Sequence, residues 1–469
     1  MKNRGYFILG LIATVILGSA AVWMGGLNQD EGWYLYAANL VSEGKVLYRD
    51  FAFTQAPLMP IVYSVFAGIW QNFGLLGARV FTLTLGLLSI FFLAMSAVRL
   101  TNNERKWTAG TVVMLLLGCN LYHLYYIAIP KTYALAALML AIGVYLLTFE
   151  RMTFFAGMFF ALACGTRISL GAAIPVICLL LWHKRSFLKA VIFGLGAAIA
   201  LLLVFGPYLI SHEAKSGLLM AQAYHVARGG YDPVFAVGSL SRLVRWYLPI
   251  FIVFGLSVKA LKNPALLWAF IAVFLVQILA PFPYDDYQVP IMGILAVVSA
   301  VAFTTEERPK GLLLVLGLTF ATSFGSPLLE TWTMNGQDRF WSLKKEQCEL
   351  KQLQETAAEI NVLDPGGKEL LTQDLYLAIE TNRKVPEGLE MGPFSVLSDA
   401  EWRKLLDECK IPVAALSGYS FAIEPPECNE RPNAEQIEYW KILKRNYRYL
   451  FQKDRFGQNA TTLLILQHQ

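Results

Sequence analysis

The chain has 469 residues, is 56% hydrophobic, carries charge on only 16% of its residues and has a mean hydropathy of +0.48. Soluble domains carry about 25% charged residues, so this composition excludes an ordinary soluble enzyme. The net charge of +5 is concentrated in short loops, which is typical of membrane topology signals and speaks against a nucleic-acid-binding surface. The six cysteines form no Cys-x-x-Cys motif, so neither a zinc ribbon nor a thioredoxin-type site is indicated.

Apolar segments alternate with short polar loops from the N-terminus to about residue 329. A membrane-spanning helix needs roughly 20 apolar residues, and the first segment is long enough to remain as an anchor. A cleaved signal peptide is the alternative, because residues 19–21 are small. We predict about eleven spans, near residues 5–25, 77–100, 107–127, 131–149, 153–164, 168–182, 188–210, 243–261, 264–281, 286–303 and 311–328.

The basic loops predict the orientation of these spans. Cytoplasmic loops are enriched in lysine and arginine, so the basic clusters at residues 2–4, 99–106 and 183–189 should lie inside. If residues 58–73 formed a further span, the second of these clusters would fall outside. We therefore predict that residues 58–73 form a re-entrant or surface helix, with the N-terminus in the cytoplasm and the C-terminal part outside.

The chain changes character after residue 329, where charges become frequent and no segment is long enough to span a membrane. The pattern predicts a transmembrane domain of residues 1–329 and a soluble α/β domain of residues 330–469. The elements expected in the soluble domain are a strand at 369–372, a helix at 375–381, a strand at 411–416 and a terminal hairpin of residues 447–452 and 461–466.

The expected fold is an α-helical polytopic membrane protein, with further juxtamembrane helices on its outer face and a C-terminal soluble α/β domain. Three cysteines of the soluble domain, Cys348, Cys409 and Cys428, permit one disulfide. The spacing of cysteines does not determine their connectivity, and Cys409–Cys428 is one of the three pairings.

Two adjacent acids, Asp30 and Glu31, follow the first apolar segment. Acids at the mouth of a membrane span are costly unless they face water or have a function. Apolar residues recur at helical spacing from Trp33 to Val41, which predicts an amphipathic helix in the interface with its aromatic face in lipid. A carboxylate at the start of this helix would stay ionised and accept a proton from a hydroxyl. A helix N-cap with an acid in the first turn is the alternative.

Residues 48–58 alternate aromatic and polar side chains before a proline begins an apolar helix. Asp50 is a second candidate carboxylate in this segment. Arg49 and Gln55, together with Tyr34, are candidates for lining the substrate site. An ordinary surface loop that enters a helix is the alternative interpretation.

Two cations near the outer ends of predicted spans are candidate ligands of a lipid phosphate. Arg167 lies between two apolar segments, and Lys131 follows Pro130. Both have an alternative interpretation as side chains that extend from the end of a span to the membrane surface.

Residues 281–290 contain two acids, Asp285 and Asp286, between Tyr284 and Tyr287. Tyrosines also form interfacial belts in membrane proteins. Paired acids bind metal ions, but no His-x-x-x-His or Asp-x-Asp-x-Asp pattern supports a metal site here.

The predicted topology collects the unusual polar residues on the outer face, which is the face with fewer basic loops. A random scatter would not favour that face, so we expect these residues to include the functional site. They are Asp30, Glu31, Arg49, Asp50, Lys131, Arg167, His225, Arg228, Asp285 and Asp286.

An Asp-Glu pair after the first span, followed by a helix entry at Gln55-Ala56-Pro57-Leu58, resembles the GT-C glycosyltransferases. The branch that is most similar contains protein O-mannosyltransferases, lipid A aminoarabinose transferases and bacterial family-39-like enzymes. Arg79, the tyrosine-rich segment 281–290 and the outer C-terminal domain fit this branch as well. The resemblance extends over roughly residues 1–330.

This resemblance implies a polyprenyl-phosphate-linked sugar as donor, a glycan, lipid or protein as acceptor, no nucleic-acid partner, and a location in the bacterial cytoplasmic (inner) membrane. It implies that Asp30 is the catalytic base and that Glu31 supports it. It implies that Arg167 matches the basic residue near the lipid phosphate and that Tyr284 or Tyr287 matches the tyrosine that contacts it. Lys131 and Arg79 are further candidates for binding the donor phosphate and its lipid.

The chain departs from the family at two positions. Gln55 and Ala56 stand where many relatives have His-Pro or Lys-Pro, so the expected cation or metal ligand is missing there. Lys131 stands where an acid is common. No cofactor is expected, and a divalent metal ion has no motif to support it.

These observations predict an inverting hexosyl or pentosyl transferase in which Asp30 activates the acceptor hydroxyl. A transporter or flippase for a lipid-linked sugar is the alternative. A transporter would show helix breaks near the bilayer midplane in matching halves, and the sequence shows no such pair.

Overall fold

The computed structural model describes residues 2–101, 104–184, 186–227, 229–260, 264–305, 311–333, 348–395, 397–417, 434–458 and 460–469. The chain divides into two compact units. The first unit comprises Met1–Val22, Thr54–Met59 and Val80–Asp338, and the second comprises Trp23–Phe53, Pro60–Arg79 and Arg339–Gln469. The second unit therefore includes segments that precede residue 329, and the boundary at 329/330 stays a prediction.

The described helices are numbered α1 to α20 in chain order. The first ten are α1 (Lys2–Met24), α2 (Gln29–Ser42), α3 (Leu58–Ser64), α4 (Gly68–Leu100), α5 (Lys106–Gly118), α6 (Leu121–Ala128), α7 (Thr132–Leu147), α8 (Thr153–Thr166), α9 (Ala173–Lys184) and α10 (Phe187–Ile210). The others are α11 (His212–Ala227), α12 (Pro233–Trp246), α13 (Leu248–Ser257), α14 (Pro264–Ile278), α15 (Val289–Phe303), α16 (Gly311–Thr333), α17 (Glu349–Leu363), α18 (Leu375–Thr381), α19 (Asp399–Glu408) and α20 (Ala434–Asn446).

Among the described residues, four helices are long and apolar enough to cross a membrane: Arg4–Met24, Gly68–Leu100, Phe187–Ile210 and Asp285–Phe303. The number becomes six if each of two bent pairs is one span; α5 and α6 meet at 73°, and α12 and Leu248–Ala260 meet at 77°. Each predicted span coincides with a helix or a bent pair, and the α-helical polytopic fold is confirmed. Several of these helices are shorter than a full span, so the count of eleven stays a prediction.

Residues 58–73 do not form one continuous helix. Helix α3 has only seven residues, far fewer than a span needs. Helix α4 contains a break at Gly74, whose φ of 60° lies in the left-handed region that favours glycine. This arrangement agrees with the prediction that residues 58–73 are not a full span.

The break at Gly74 is held by a buried acid of the second unit. A carboxylate oxygen of Glu380, at the end of α18, accepts a hydrogen bond of 2.7 Å from the N–H of Leu75, where α4 resumes. Burial raises the pKa of Glu380, and the Leu75 N–H and the charge of Arg79 oppose this shift. The carboxyl group thus replaces the helical hydrogen bond that the break removes.

The soluble part of the second unit contains a three-stranded antiparallel sheet in the order β1 (Val413–Ser417), β3 (Thr461–His468), β2 (Tyr447–Phe456). Strands β2 and β3 form the predicted terminal hairpin, which turns at Gly457 with φ of 71°. The predicted strand at 411–416 and the helix at 375–381 are confirmed. The strand predicted at 369–372 is wrong, because residues there form only isolated bridges. Cys409 is a free thiol, and Cys428 lies outside the described residues.

Helix α2 begins at Gln29, next to the two acids, as the sequence predicts. Its aromatic face, however, is not exposed to lipid. Trp33 and Tyr36 are 4% exposed within the second unit, and α18 approaches so closely that a Cβ on Gly32 would overlap the backbone N of Tyr376. The prediction of a lipid-facing aromatic side is therefore wrong, because helix spacing marks a buried face without identifying what covers it.

Helices α8 and α10 of the first unit pack through two glycines. A Cβ on Gly157 would overlap the carbonyl oxygen of Phe193, and a Cβ on Gly196 would overlap that of Phe154. Small residues allow such close backbone approach between membrane helices. The two helices therefore have no space for a side chain at either position.

We expect Gly196→Ala to destabilise the first unit, because the new methyl group meets backbone and neither helix can move away cheaply. Overpacking of this kind costs about 1–3 kcal/mol. Gly194→Ala on the same helix is the matched control, since the nearest atom to its Cβ is the Cys178 Sγ at 3.8 Å. The check is thermal unfolding of both variants in detergent; equal midpoints would contradict the close approach.

We expect titration of the Glu380 carboxyl group to make the stability of the folded protein depend on pH. Because its pKa is raised on folding, its stabilising contribution is full below the ordinary value of 4.5 and is lost as pH rises through the folded pKa. Glu380→Gln keeps an acceptor for Leu75 and removes the titration, whereas Glu380→Ala removes the acceptor and costs about 1–3 kcal/mol. The measurement is the unfolding midpoint of all three proteins from about pH 4 to about pH 8. If the difference in unfolding midpoint between wild type and Glu380→Gln stayed constant over this pH range, the raised pKa of Glu380 would be contradicted.

Candidate active site

The start of α2 is fixed by a reciprocal cap. The side chain of Asn28 accepts a hydrogen bond of 3.1 Å from the N–H of Asp30, and the N–H of Asn28 donates to Oε1 of Glu31 at 2.9 Å. Such a capping box satisfies backbone donors that a helix start leaves without partners. The alternative interpretation of the Asp-Glu pair, an N-cap with an acid in the first turn, therefore applies to Glu31.

Glu31 and Arg79 form a buried ion pair in the second unit. The Nε of Arg79 donates to Oε2 of Glu31 at 2.8 Å, and its Nη2 donates to Oε1 at 2.6 Å. The same guanidinium donates to the carbonyl oxygens of Gly25 and Gly26. Both side chains are fully buried. Arg79 therefore holds Glu31 and the end of the first span, a placement that does not support its predicted contact with a lipid phosphate.

Asp30, next to this pair, is half-buried and held by an aromatic neighbour. The indole Nε1 of Trp33 donates to Oδ1 of Asp30 at 3.1 Å. The Trp33 ring stacks on Tyr34 with centroids 4.0 Å apart and also contacts Phe53 and Phe394. This packing fixes the rotamer of Trp33 and, through it, the carboxylate. Tyr34, predicted to line the substrate site, is part of this buried packing.

Asp50 lies in a surface turn and pairs with its neighbour Arg49. Two hydrogen bonds of 2.8 and 2.9 Å join the guanidinium to the carboxylate, and the N–H of Val46 donates to it at 2.7 Å. The bonds from Arg49 and then Val46 lower the pKa of Asp50 to about 2. A carboxylate of such low basicity is poorly matched to general-base catalysis near neutral pH.

A second buried acid on the soluble side supports α2. Asp374 accepts hydrogen bonds from Nε2 of Gln29 at 3.0 Å and from the hydroxyl of Tyr376 at 3.1 Å. All three residues are in the second unit and are buried. Asp374 was not predicted from the sequence. The only local feature of Asp374 is its position just before a short helix. That position does not indicate a hydrogen bond to Gln29, which is 345 residues away in the chain.

The first unit brings together five of the predicted residues in a cluster of cations, tyrosines and acids, which we name the cation cluster. Lys131 lies just before α7 and Arg167 just after α8, and the Nζ of Lys131 is 3.1 Å from Oδ2 of Asp286. The hydroxyl of Tyr133 donates to the same oxygen at 2.8 Å. Lys131 is 5% and Arg167 9% exposed. The members of the cation cluster are Lys131, Thr132, Tyr133, Arg167, Asp285, Asp286, Tyr287, Tyr122 and Arg242.

Arg167 is held between two aromatic rings. Its guanidinium carbon lies 4.7 Å from the ring centroids of both Tyr133 and Tyr287. Its Nη1 also donates to the hydroxyl of Thr132 at 3.0 Å. The two rings and this hydrogen bond hold the guanidinium in a defined plane. A planar guanidinium is the side-chain group that best matches the geometry of phosphate oxygens.

Asp285 connects the cation cluster to α12. Its two carboxylate oxygens accept hydrogen bonds of 2.6 Å from the hydroxyl of Tyr122 and 2.9 Å from Nε of Arg242. Tyr122 stacks on Trp246 at 4.9 Å. The sequence identified both acids of segment 281–290 but missed Tyr122, Tyr133 and Arg242. The two tyrosines lie in the first turns of apolar helices, and Arg242 lies inside α12, so none of the three has a local signal that identifies its partner.

Other predicted residues have different surroundings. Tyr284 is 40% exposed and packs against Phe235 and Tyr287. Gln55 is half-buried in the first unit, between Thr54 and Met59. His225 belongs to α11 by its backbone, and Arg228 lies outside the described residues. Within the described ranges, no three His, Cys, Asp or Glu side chains come together as metal ligands.

Comparison with known proteins gives structural similarity only. No protein-family model and no curated protein sequence matches the chain. The structure of ArnT from Cupriavidus metallidurans bound to undecaprenyl phosphate is similar with a TM-score of 0.64 and 14% identity, over 98% of each chain.

Two structures of the Archaeoglobus fulgidus oligosaccharyltransferase are similar at 8% identity. The apo form has a TM-score of 0.53 over 98% of this chain and 74% of the other. The form tethered to an acceptor peptide has a TM-score of 0.51 over 96% and 72%. The resemblance seen in the sequence is therefore confirmed at the level of fold: this multi-pass membrane protein has the fold of the GT-C glycosyltransferases.

Proposed function

We propose that the protein is an inverting glycosyltransferase that moves a hexosyl or pentosyl group from a polyprenyl-phosphate-linked donor to a hydroxyl of a glycan, lipid or protein on the outer face of the bacterial inner membrane. The main support for this proposal is the presence of the cation cluster in a protein that has the GT-C fold. Three cations, Lys131, Arg167 and Arg242, lie together with Asp285 and Asp286, and two tyrosine rings flank Arg167.

The cost of these charges supports a function for them. Ionised side chains in membrane-spanning regions are expensive and mark sites of binding or transport. The two acids lower this cost by pairing with Lys131 and Arg242. The structurally similar ArnT is bound to undecaprenyl phosphate, which is the product expected when a polyprenyl-phosphate donor loses its sugar.

In the proposed reaction, Asp30 accepts the proton of the acceptor hydroxyl while the oxygen attacks the anomeric carbon. A bond forms between this oxygen and the anomeric carbon, and the bond from that carbon to the phosphate oxygen breaks. The electron pair goes to the leaving polyprenyl phosphate, whose negative charge the cation cluster stabilises. One in-line displacement inverts the configuration. The proposed reaction uses only groups of the chain and no metal ion. We therefore expect turnover to persist in excess chelator.

Glu31 has a positioning role in this proposal. Its carboxylate is occupied by Arg79 and by the N–H of Asn28, so it holds the first turn of α2. Asp30 lies one residue earlier and is held by Trp33. The pair of acids therefore divides into one that fixes the helix and one that reacts.

The experiment that separates transfer from transport uses the purified protein in proteoliposomes with a polyprenyl-phosphate sugar labelled in the sugar. Release of polyprenyl phosphate, with the label on an added acceptor, supports the transferase. Movement of intact donor across the membrane without cleavage supports a flippase and would reject the proposal.

We expect Asp30→Asn to lower the turnover number by about 10²–10⁴-fold, because a general base contributes that much. The amide oxygen still accepts the indole N–H of Trp33, so the thermal midpoint should stay near that of wild type. Asp407→Asn, at an exposed acid of α19, is the matched control. Asp50→Asn decides between the two candidate bases. If Asp50→Asn lost transfer and Asp30→Asn kept it, Asp50 rather than Asp30 would be the catalytic base.

We expect Arg167→Ala to weaken binding of undecaprenyl phosphate by roughly 10–100-fold, since hydrogen bonds to charged groups contribute about 1.5–3 kcal/mol. The measurement is the affinity of the purified protein for undecaprenyl phosphate in detergent, together with KM for the donor. Arg403→Ala removes a half-buried arginine of α19, in the second unit, and is the control. Unchanged affinity in Arg167→Ala would show that the phosphate is bound elsewhere.

A further inference from the structure

The first unit contains a cavity of about 210 Å³ that does not include any member of the cation cluster. It lies where four helices begin or end. Helix α4 ends at Leu100, α7 at Leu147 and α9 at Lys184, and α14 begins at Pro264; all four residues line the cavity. The cation cluster is at the other end of α7, whose 16 residues span about 24 Å.

The wall of this cavity is mostly aliphatic. Val144, Ile177 and Leu181 are buried side chains that line it. Only Thr148 and Lys184 contribute polar side chains. A bound water needs two to four polar partners, and most of this wall offers none. A void without an occupant loses dispersion contacts along its whole lining, so a hydrocarbon chain is the occupant that the wall suits.

Two cations stand beside the aliphatic wall. Lys184 lines the cavity and is exposed. The Nε of Arg99 donates to the hydroxyl of Thr148, another lining residue, at 2.9 Å. The Arg99 guanidinium also lies 3.6 Å from the ring centroid of Phe149. The apolar wall and the positive charges together match a molecule with an acyl chain and an anionic group.

This end of the first unit is strongly basic. The connections α4–α5, α7–α8, α9–α10 and α13–α14 meet here. The described residues of these connections and of the helix turns beside them include seven cations and two acids. The cations are Arg99, Arg105, Lys106, Arg151, Lys184, Lys189 and Lys259, and the acids are Glu104 and Glu150. Glu150 pairs with Lys189 at 3.5 Å. Basic segments at membrane surfaces attract anionic lipids.

We infer that the cavity binds one acyl chain of an anionic phospholipid, with the lipid phosphate held by Lys184 and Arg99. Three of the helices present their C-terminal ends here, where the helix dipole disfavours an anion. Of the four helices, only α14 begins here. The side chains of Lys184 and Arg99 supply the positive charge for the phosphate. The predicted orientation places this lipid in the cytoplasmic leaflet, and the inference does not depend on the proposed transferase activity.

The experiment is native mass spectrometry of the full chain, titrated with phosphatidylglycerol or with phosphatidylcholine of the same acyl chains. Wild type should retain phosphatidylglycerol in preference. Lys184→Gln should weaken this retention by about fivefold, the effect of one basic residue near an anionic lipid. Lys259→Gln removes an exposed cation from the same end but outside the cavity wall, and should retain the lipid as wild type does. Ala265→Trp should fill the cavity and abolish retention.

Two results would overturn the inference. Equal retention of the two lipids by wild type would show that the cavity does not select an anionic headgroup. An equal loss in Lys184→Gln and Lys259→Gln would show a diffuse shell of surrounding lipid rather than a site. If Ala265→Trp does not fold, as judged by its elution and thermal midpoint, the comparison of Lys184→Gln with Lys259→Gln decides.

Discussion

The buried ion pair between Glu31 and Arg79 is the constraint on which the start of α2 and the direction of Asp30 depend. Two charges removed from water are stable only when hydrogen bonds satisfy their remaining groups. Here the arginine also binds two backbone carbonyls, and the glutamate also receives the N–H of Asn28. Consecutive residues on a helix point about 100° apart. Once Glu31 is directed at Arg79, Asp30 must point elsewhere, where Trp33 holds it.

The first unit uses charge in a different way. Lys131 and Arg242 each pair with an acid of segment 281–290, and tyrosine hydroxyls bond to the same acids. The acids reduce the cost of placing cations between apolar helices, while aromatic rings orient Arg167 on both sides. The result is a cluster of cations in a frame of acids and tyrosines, and the proposed role for it is to stabilise a leaving phosphate without reorganisation.

The sequence predicted the elements well and their partners poorly. Apolar periodicity located the membrane helices, and the turn at Gly457 with its flanking strands predicted the terminal hairpin. The acids at the start of α2 were identified because acids at a span end are unusual. Arg79 was assigned to a lipid phosphate because a charged residue reveals its sign but not its partner, which is 48 residues away. Tyr133 and Asp374 were missed for the same reason, since their contacts join distant segments of the chain.

The distribution of charge along the first unit separates two roles of cations in one membrane protein. At the end where α4, α7 and α9 finish, the described cations are mostly exposed and outnumber the acids, which is the pattern expected of the predicted cytoplasmic loops. At the other end of α7 the cations are nearly buried and paired with acids. A topology signal needs no burial and no partner, so the second group has no explanation in membrane insertion. The proposed binding of an anion would account for its burial, its pairing and its aromatic frame together.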